Sequence, residues 1–465
     1  MNVKYLIIGA GPTGLGAAYR LKELGENDFM VVEKESYSGG LATTFKDEKG
    51  FLWDIGGHVQ FSHYKYFDEL MLSTLGADGW LEHERESWVW MRNRFIPYPF
   101  QNNVRYLPKE EMWSCLRGMI KNLSAPQQEK PKNFEDWIRV TFGEGIAELF
   151  MLPYNFKVWA FPPSLLSHHW IGERVAVTDL ERVTGNVIFE QDDLSWGPNN
   201  TFSFPLHGGT GSIWKGVANE IGEDHFAFNK CVDSIEAEKK TVWFTDGTSA
   251  TYEYLLSTMP LDLLAEAVDE LPVHIKEETK ELKHSTSHIV GIGLAGKPGA
   301  HLEKKCWMYF PESDCPFYRV TVFSNYSPNN VPDPENQWSL MTETSESDLK
   351  KVDSKTIVQE TIQGLLNTGL IDSEEQVIST WYYKAGYGYP TPSLGRDAIL
   401  KNAIPELEKL NIYSRGRFGA WKYEVSNQDH SMMQGVEWVN RMVLSVPEVT
   451  IHFPSMANAN WGQLI

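Results

Sequence analysis

The sequence predicts an α/β fold in three parts: a parallel, nucleotide-binding sheet domain, a helical insertion and an antiparallel β-sheet domain. Three observations carry this reading. A branched apolar run, Val3 to Ile8, leads into a Gly9-x-Gly11-x-x-Gly14 turn and then a stretch with helical spacing. A middle region repeats apolar residues at helical intervals between proline-containing breaks. From Ser287 to Thr342, apolar and polar residues alternate as they do in strands.

Val3-Lys4-Tyr5-Leu6-Ile7-Ile8 has the character of a strand buried on both faces. Gly9 permits a tight turn, Gly11 lets a pyrophosphate approach the backbone, and Gly14 lets the helix pack closely on the strand. Free amides at the helix start face phosphates, with the positive end of the helix dipole behind them. The spacing predicts a helix over 15–24, closed by Gly25, and a second strand over 29–32. Glu33 ends that strand about 20 residues past the turn, where a carboxylate accepts hydrogen bonds from an adenosine ribose. Together these make a Rossmann-type dinucleotide site; the alternative is a glycine-rich turn without a ligand. Gly291 to Gly296 matches the same pattern, but Lys297-Pro298-Gly299 follows, poor material for a helix start. That copy reads as a strand and turn.

Further on, Ser38-Gly39-Gly40-Leu41 forms a second glycine loop, and Asp54-Ile55-Gly56-Gly57-His58 follows a short strand. Paired glycines let backbone pass close to a flat ring, and His58 would lie near it. From Tyr66 to about Ile171 the spacing reads as helical. Gly172-Glu173-Arg174-Val175 and Ser195 to Asn200 suit neither helix nor strand and read as mobile flaps. A helix is predicted over 213–221, strands over 241–247 and 254–258, a helix over 357–366, a strand over 377–383 and a closing helix to Val443.

A chain of 465 residues is long enough for two or three domains and a large core. With 42 basic against 62 acidic residues the net charge is −20, which argues against non-specific nucleic-acid or anionic-membrane partners. An anionic substrate would need local arginines working against that field. Four scattered cysteines without a C-x-x-C indicate neither a disulfide framework nor a zinc site, and no metal is expected. No apolar run approaches the roughly 18 residues of a membrane span. The apolar N-terminal stretch reads as a strand rather than a signal peptide, so a cytoplasmic location is expected.

The acid-ended strand, the G-G-x loop and the D-x-G-G-H segment resemble the FAD-binding half of the amine-oxidase and protoporphyrinogen-oxidase superfamily. Longer matches narrow this. Gly56 to Phe67, Pro97 to Asn103, Tyr154 to Ala160, Gly172 to Val175, Trp196 to Asn199, Cys315 to Arg319 and Gly416 to Ser431 resemble UDP-galactopyranose mutases of the eukaryotic type. The motifs run in family order across nearly the whole chain. The resemblance implies a redox-neutral isomerase that interconverts UDP-galactopyranose and UDP-galactofuranose on reduced FAD. In it the flavin N5 attacks the anomeric carbon, UDP leaves, and UDP returns once the ring has reclosed. It also implies NADPH as reductant, a UDP-sugar as partner, and leaves a homo-oligomer open.

Residue roles carry over in the same way. Arg174 and Arg319 would grip the diphosphate, since a planar guanidinium pairs well with phosphate oxygens. Tyr309, Tyr326, Tyr389 and Tyr423 would offer it hydroxyls. Tyr98, Gln101, Phe150, Asn155 and Trp159 would enclose the uridine, Met151 and Trp307 would join the substrate contacts, and Asn199 would swing in on a flap. Gly9, Gly11, Gly14, Glu33, Gly40, Leu41, Gly57, His58, Arg417, Asn427, Gln428 and Ser431 would hold FAD, with His58 in the loop that responds to flavin state and counted with Arg174 and Arg319 as catalytic. Arg85 and Ser87 would meet NADPH. Ser195 departs from the asparagine expected before W-G-P-N. The expected domains are 1–70, 206–262 and 405–450 for FAD, 71–185 for the helical part with its flap, and 186–205 with 263–404 for the sheet. Rival readings are an amine oxidase or desaturase on the same fold, a flavin-free binding protein like the GDP-dissociation inhibitors, and a mutase for another nucleotide sugar.

Overall fold

The computed structural model describes residues 1–124, 130–194 and 200–459. The strand Asn2–Ile8 lies inside a seven-stranded sheet, parallel to Phe29–Val32 on one side and to Ser249–Ser257 on the other. Ile7 is in register with both Val31 and Leu256. Its side chains alternate between two cores, as a strand's must. Tyr5 and Ile7 pack with Leu15, Ala18 and Leu21 of the helix Pro12–Glu23, with Val217 of Gly211–Ile221, and with Trp438 of Gln428–Leu444. Leu6 and Ile8 face Leu264, Ile275 and Leu400, from the helices Leu261–Ala267, Val273–Lys280 and Arg396–Lys409. Helices on both faces explain why the strand's second half, Tyr5 to Ile8, is buried on both sides. The latter three helices share a core with the first strand, although much of their sequence lies in the stretch expected for the sheet domain.

A second seven-stranded sheet runs in the order Val377–Pro390, His284–Ala295, Gln337–Glu346, Arg319–Val322, Trp307–Tyr309, Ser87–Met91 and Arg94–Pro97. Its neighbours are antiparallel except for Trp307–Tyr309 beside Ser87–Met91. Two of these strands correct the expectation of helix from 66 to 171. Trp80–Glu84, Ser87–Met91 and Arg94–Pro97 are strands, and the last two form a hairpin in this sheet. The signal was local. Ser87, Val89 and Met91 are buried while Trp88 and Trp90 between them are half-buried, and Arg92 and Asn93 take φ of 55° and 56°, a two-residue turn of the kind hairpins prefer.

The second G-x-G-x-x-G segment ends the strand His284–Ala295 in a turn at Gly296, as expected. Its glycines serve packing. A Cβ on Gly291 would stand 2.5 Å from the Trp53 ring, and one on Gly293 would stand 2.7 Å from the Phe51 ring. Those two buried rings lie flat on the sheet because nothing projects there. The helices Lys109–Ser124, Phe134–Ile146, Leu152–Trp159 and Leu180–Ile188 form a third core around Cys115, Ile138, Phe142, Phe150 and Val183.

Candidate active site

The first glycine turn has the shape its spacing predicted. Gly9 has φ of 102°, and a Cβ on Gly14 would lie 1.9 Å from the Gly9 carbonyl oxygen. The helix begins at Pro12, and Gly11 gives the amides of its first turn no side-chain cap. Gly40 comes up beneath: a Cβ there would lie 3.2 Å from Gly11 Cα, and Gly39 N–H donates to Ala10 O at 2.8 Å. Leu41 follows, packed against the core behind the first sheet. Glu33 is buried, and its Oε2 accepts the Ala10 amide at 2.7 Å and its Oε1 the Glu35 amide at 2.9 Å. Each oxygen keeps a lone pair for a ribose hydroxyl.

At the other end of the cleft, Arg417 donates to Gly388 O, Ser426 O and Ser426 Oγ, and its guanidinium lies 4.9 Å from the Tyr389 ring. Burial lowers its pKa, and none of these partners is a carboxylate. Asn427 caps the helix Gln428–Leu444 from an extended conformation, without a side-chain bond. The Gln428 side-chain carbonyl accepts the Trp214 indole N–H at 2.6 Å, and Ser431 Oγ donates to Ser426 O at 3.3 Å. Both side chains therefore also brace the chain. His58 Nδ1 is buried with no hydrogen-bond partner among the described residues. Burial pushes its pKa down to about 4, with help from Arg417 and Arg319 against Glu343, so the ring is neutral at pH 7. The loop that bears it is tied down by Asp429, which accepts His63 N–H at 3.1 Å and bonds His63 Nδ1 at 2.8 Å. An uncapped helix start, an imidazole nitrogen orphaned among the described residues and a half-buried cation with no carboxylate partner among them fit an anionic dinucleotide with a polar ring system, as FAD is.

Arg319 stands in register with Tyr309 on one neighbouring strand and Glu343 on the other. Its Nε and Nη2 donate to Glu343 at 2.9 and 2.7 Å, Nη2 lies 3.4 Å from Tyr389 Oη, and its guanidinium sits 5.4 Å from the Trp307 ring. Arg174 ends a three-residue turn, Gly172–Arg174, and is held differently. Its Nη1 donates to Asn458 Oδ1 at 3.2 Å, and its guanidinium lies 5.6 Å from the Tyr423 ring. Tyr423 feels Arg174, Arg417 and Arg319 together, while burial raises its pKa.

Most of the aromatic residues singled out above, together with Tyr154, form a wall of two sets of touching rings in and against the third core. Phe150 stacks on Tyr154 at 5.2 Å, Tyr154 meets Tyr309 at 5.4 Å, and Tyr309 meets Tyr98 at 5.0 Å. Trp159 touches Tyr389 at 5.9 Å and Tyr423 at 4.8 Å. Met151 is buried behind them in the helical core. Gln101 donates to Ala176 O and keeps its buried Oε1 unpartnered among the described residues, and Asn155 donates to Met151 O at 2.7 Å. Tyr326 is fully buried against Phe202, Phe204 and Trp307, so the structure seats it behind the wall, in a core. Arg85, half-buried, donates to Ser87 Oγ at 3.0 Å and Tyr309 Oη at 3.1 Å and lies 5.0 Å from the Trp307 ring. Asn199 and Ser195 lie outside the described residues.

Sequence reasoning missed Tyr154, Glu343 and Asn458. Tyr154 opens the segment Tyr154 to Ala160, but no local signal assigns it a role. Glu343 had one signal, a lone acid in the run Trp338 to Ser345, every residue of which is buried. Asn458, on the short helix Pro454–Asn458, had none.

The sequence model of the flavin-containing amine oxidoreductase family matches residues 12–423. A crystal structure of reduced UDP-galactopyranose mutase superposes with a TM-score of 0.95 at 46% identity, covering 99% of this chain and 98% of that one. A putative protoporphyrinogen oxidase from Exiguobacterium sp. 255-15 shares the fold at 13% identity, TM-score 0.70, over 96% of this chain and 99% of its own. Among curated proteins, a probable flavin-containing monoamine oxidase A of Dictyostelium discoideum is 24% identical over 55% of this chain. The amine oxidase A of Sus scrofa is 27% identical over 32%. The chain spans 57% and 29% of the lengths of these two relatives.

Proposed function

The chain belongs to the flavin-containing amine oxidoreductase family and within it to the UDP-galactopyranose mutases, and from that premise we propose that it interconverts UDP-galactopyranose and UDP-galactofuranose with no net redox change. The observation that carries this is the full-length likeness to reduced UDP-galactopyranose mutase at 46% identity. When bound and reduced, FAD supplies the nucleophile for the anomeric carbon, its N5. Gly9, Gly11, Gly14, Glu33, Gly40, Leu41, Gly57, Arg417, Asn427, Gln428 and Ser431 would hold it. Arg174 and Arg319 would stabilise the charge that grows on UDP as its bond to the sugar breaks, and keep UDP within reach for return. Each charge-assisted bond contributes about 1.5–3 kcal/mol. Tyr98, Gln101, Phe150, Asn155 and Trp159 would pack the uridine and Met151 would join the substrate contacts, with Trp307, Tyr309, Tyr389 and Tyr423 beside the diphosphate and Asn199 on its flap. Tyr326 would act from behind, by backing Trp307. Neutral His58 can accept or donate one hydrogen bond without adding charge to the flavin face.

NADPH is the proposed reductant, with Arg85 and Ser87 as its contacts. The cytoplasm is the proposed compartment, in keeping with four free cysteines. An amine oxidase reading draws on the curated relatives, but two half-buried arginines beside a group of tyrosines suit an anionic nucleotide rather than an amine, itself a cation at neutral pH. The test is chromatography of UDP-galactofuranose incubated with the protein, with and without dithionite. Conversion to UDP-galactopyranose only under reduction is expected; equal conversion without a reductant, or oxygen uptake with an amine, would replace this reading.

A further inference from the structure

Glu343 is 3% exposed and has no part in the reading above. Its Oε1 accepts Gly57 N–H at 2.8 Å and Arg319 Nε at 2.9 Å, and its Oε2 accepts Arg319 Nη2 and Tyr318 Oη at 2.7 Å each. A carboxylate has about four lone-pair sites, and all are in use. Glu343 therefore has nothing left for a ligand and cannot serve as a general base. It is a clamp. By occupying Nε and Nη2 it leaves Arg319 one edge, Nη1, with no hydrogen-bond partner among the described residues and open to an anion. By holding Gly57 N–H it fixes the backbone next to His58. That backbone is tightly seated: a Cβ on Gly57 would lie 3.0 Å from both Trp307 Nε1 and Thr321 Oγ1. The Gly57 loop has little room to shift without disturbing Glu343, and Glu343 cannot shift without turning Arg319.

We propose that Glu343 is a positioning residue that couples the diphosphate grip at Arg319 to the flavin-side loop at Gly57 and His58. This rests on reading Arg319 as a diphosphate contact. Burial alone would favour the protonated form, but Arg319, Tyr318 and the Gly57 amide hold its pKa below the usual carboxylate range, so the clamp stays ionised. Linkage then makes the coupling reciprocal: UDP affinity depends on the oxidation state of the flavin, and UDP shifts the flavin midpoint potential to match.

The experiment uses the FAD-loaded full chain and UDP. Calorimetry gives the affinity for the oxidised and the reduced protein, and potentiometry gives the midpoint potential with and without UDP. In the wild type the two affinities should differ at least about fivefold, the lower end of ordinary coupling. In E343Q, UDP should still bind, with the ratio near one and the potential shift gone. The neutral pair R319Q/E343Q leaves no buried charge unpaired; it serves if E343Q does not fold, and it too should show a ratio near one. A merely structural role would weaken both affinities together and preserve the ratio. An E343Q protein with the wild-type ratio, or a wild type that binds UDP equally in both states, overturns the proposal. A wild type that binds UDP in neither state overturns the functional reading beneath it.

Discussion

Arg319 and Arg174 reach the same group of tyrosines from opposite kinds of support. Arg319 projects from the middle of a sheet, where strand register sets a buried carboxylate directly opposite it. Arg174 ends a three-residue turn, and its recorded hydrogen bond goes to a neutral amide on a five-residue helix near the far end of the described chain. The first cation is pre-aimed and charge-compensated. The second has no ion pair among the described residues and leans on Asn458, which is itself held by Glu424 O at 3.0 Å and Pro454 O at 2.9 Å. One site can thus combine a fixed donor with an adjustable one, which suits a leaving group that must depart and return.

The contrast is sharpest in what removal should do. Arg319→Ala leaves Glu343 buried and unpaired, and should cost about 3–5 kcal/mol of folding stability together with nearly all activity. Arg174→Ala should lose activity by roughly ten- to a hundredfold, one charge-assisted bond, with an unchanged urea midpoint and bound FAD. Equal destabilisation by the two would erase the distinction. A smaller effect should follow from Asn458→Ala, which frees the Arg174 turn. That bond has a charged donor, worth about 1.5–3 kcal/mol at most, but water can replace Asn458 at this half-buried site, so KM for the UDP-sugar should rise by up to roughly tenfold while kcat changes less. A kcat loss with constant KM would mean that Asn458 does more than hold Arg174.

The smallest effect concerns pH on the Arg319 side, where His58 is the titrating neighbour. Its folded pKa of about 4 lies below its ordinary 6.5, so the folded state binds fewer protons than the unfolded one between those values. Its contribution to stability is complete above pH 6.5 and is lost as pH falls through 4. His58→Asn should flatten the melting temperature across that window, measured on the FAD-loaded protein. A profile as steep as the wild type's would place the titration elsewhere.

How far each part was legible follows from how local its physics is. The turn at Gly9 to Gly14 could be read because strand, turn, helix and Glu33 are contiguous and each residue's role is set by its neighbours in sequence. The hairpin at Arg92-Asn93 was equally local, yet the helical spacing on either side masked its alternation. Gly291 and Gly293 show the limit. The lack of a following helix excluded a phosphate site, but only the folded chain reveals that Phe51 and Trp53 need the space.

The chain by itself determined the dinucleotide turn and the apolar strand behind it, since motif spacing and residue chemistry are written along the backbone, while the two arginines and the aromatic residues beside them were singled out through the resemblance of their motifs to a known family. Tertiary structure decided which carboxylate holds Arg319, which amide steadies Arg174, and that Tyr326 stands behind the aromatic wall. Those choices depend on cross-strand register and on contacts between segments far apart in the chain, and a residue's partner across a sheet has no trace in the residues beside it.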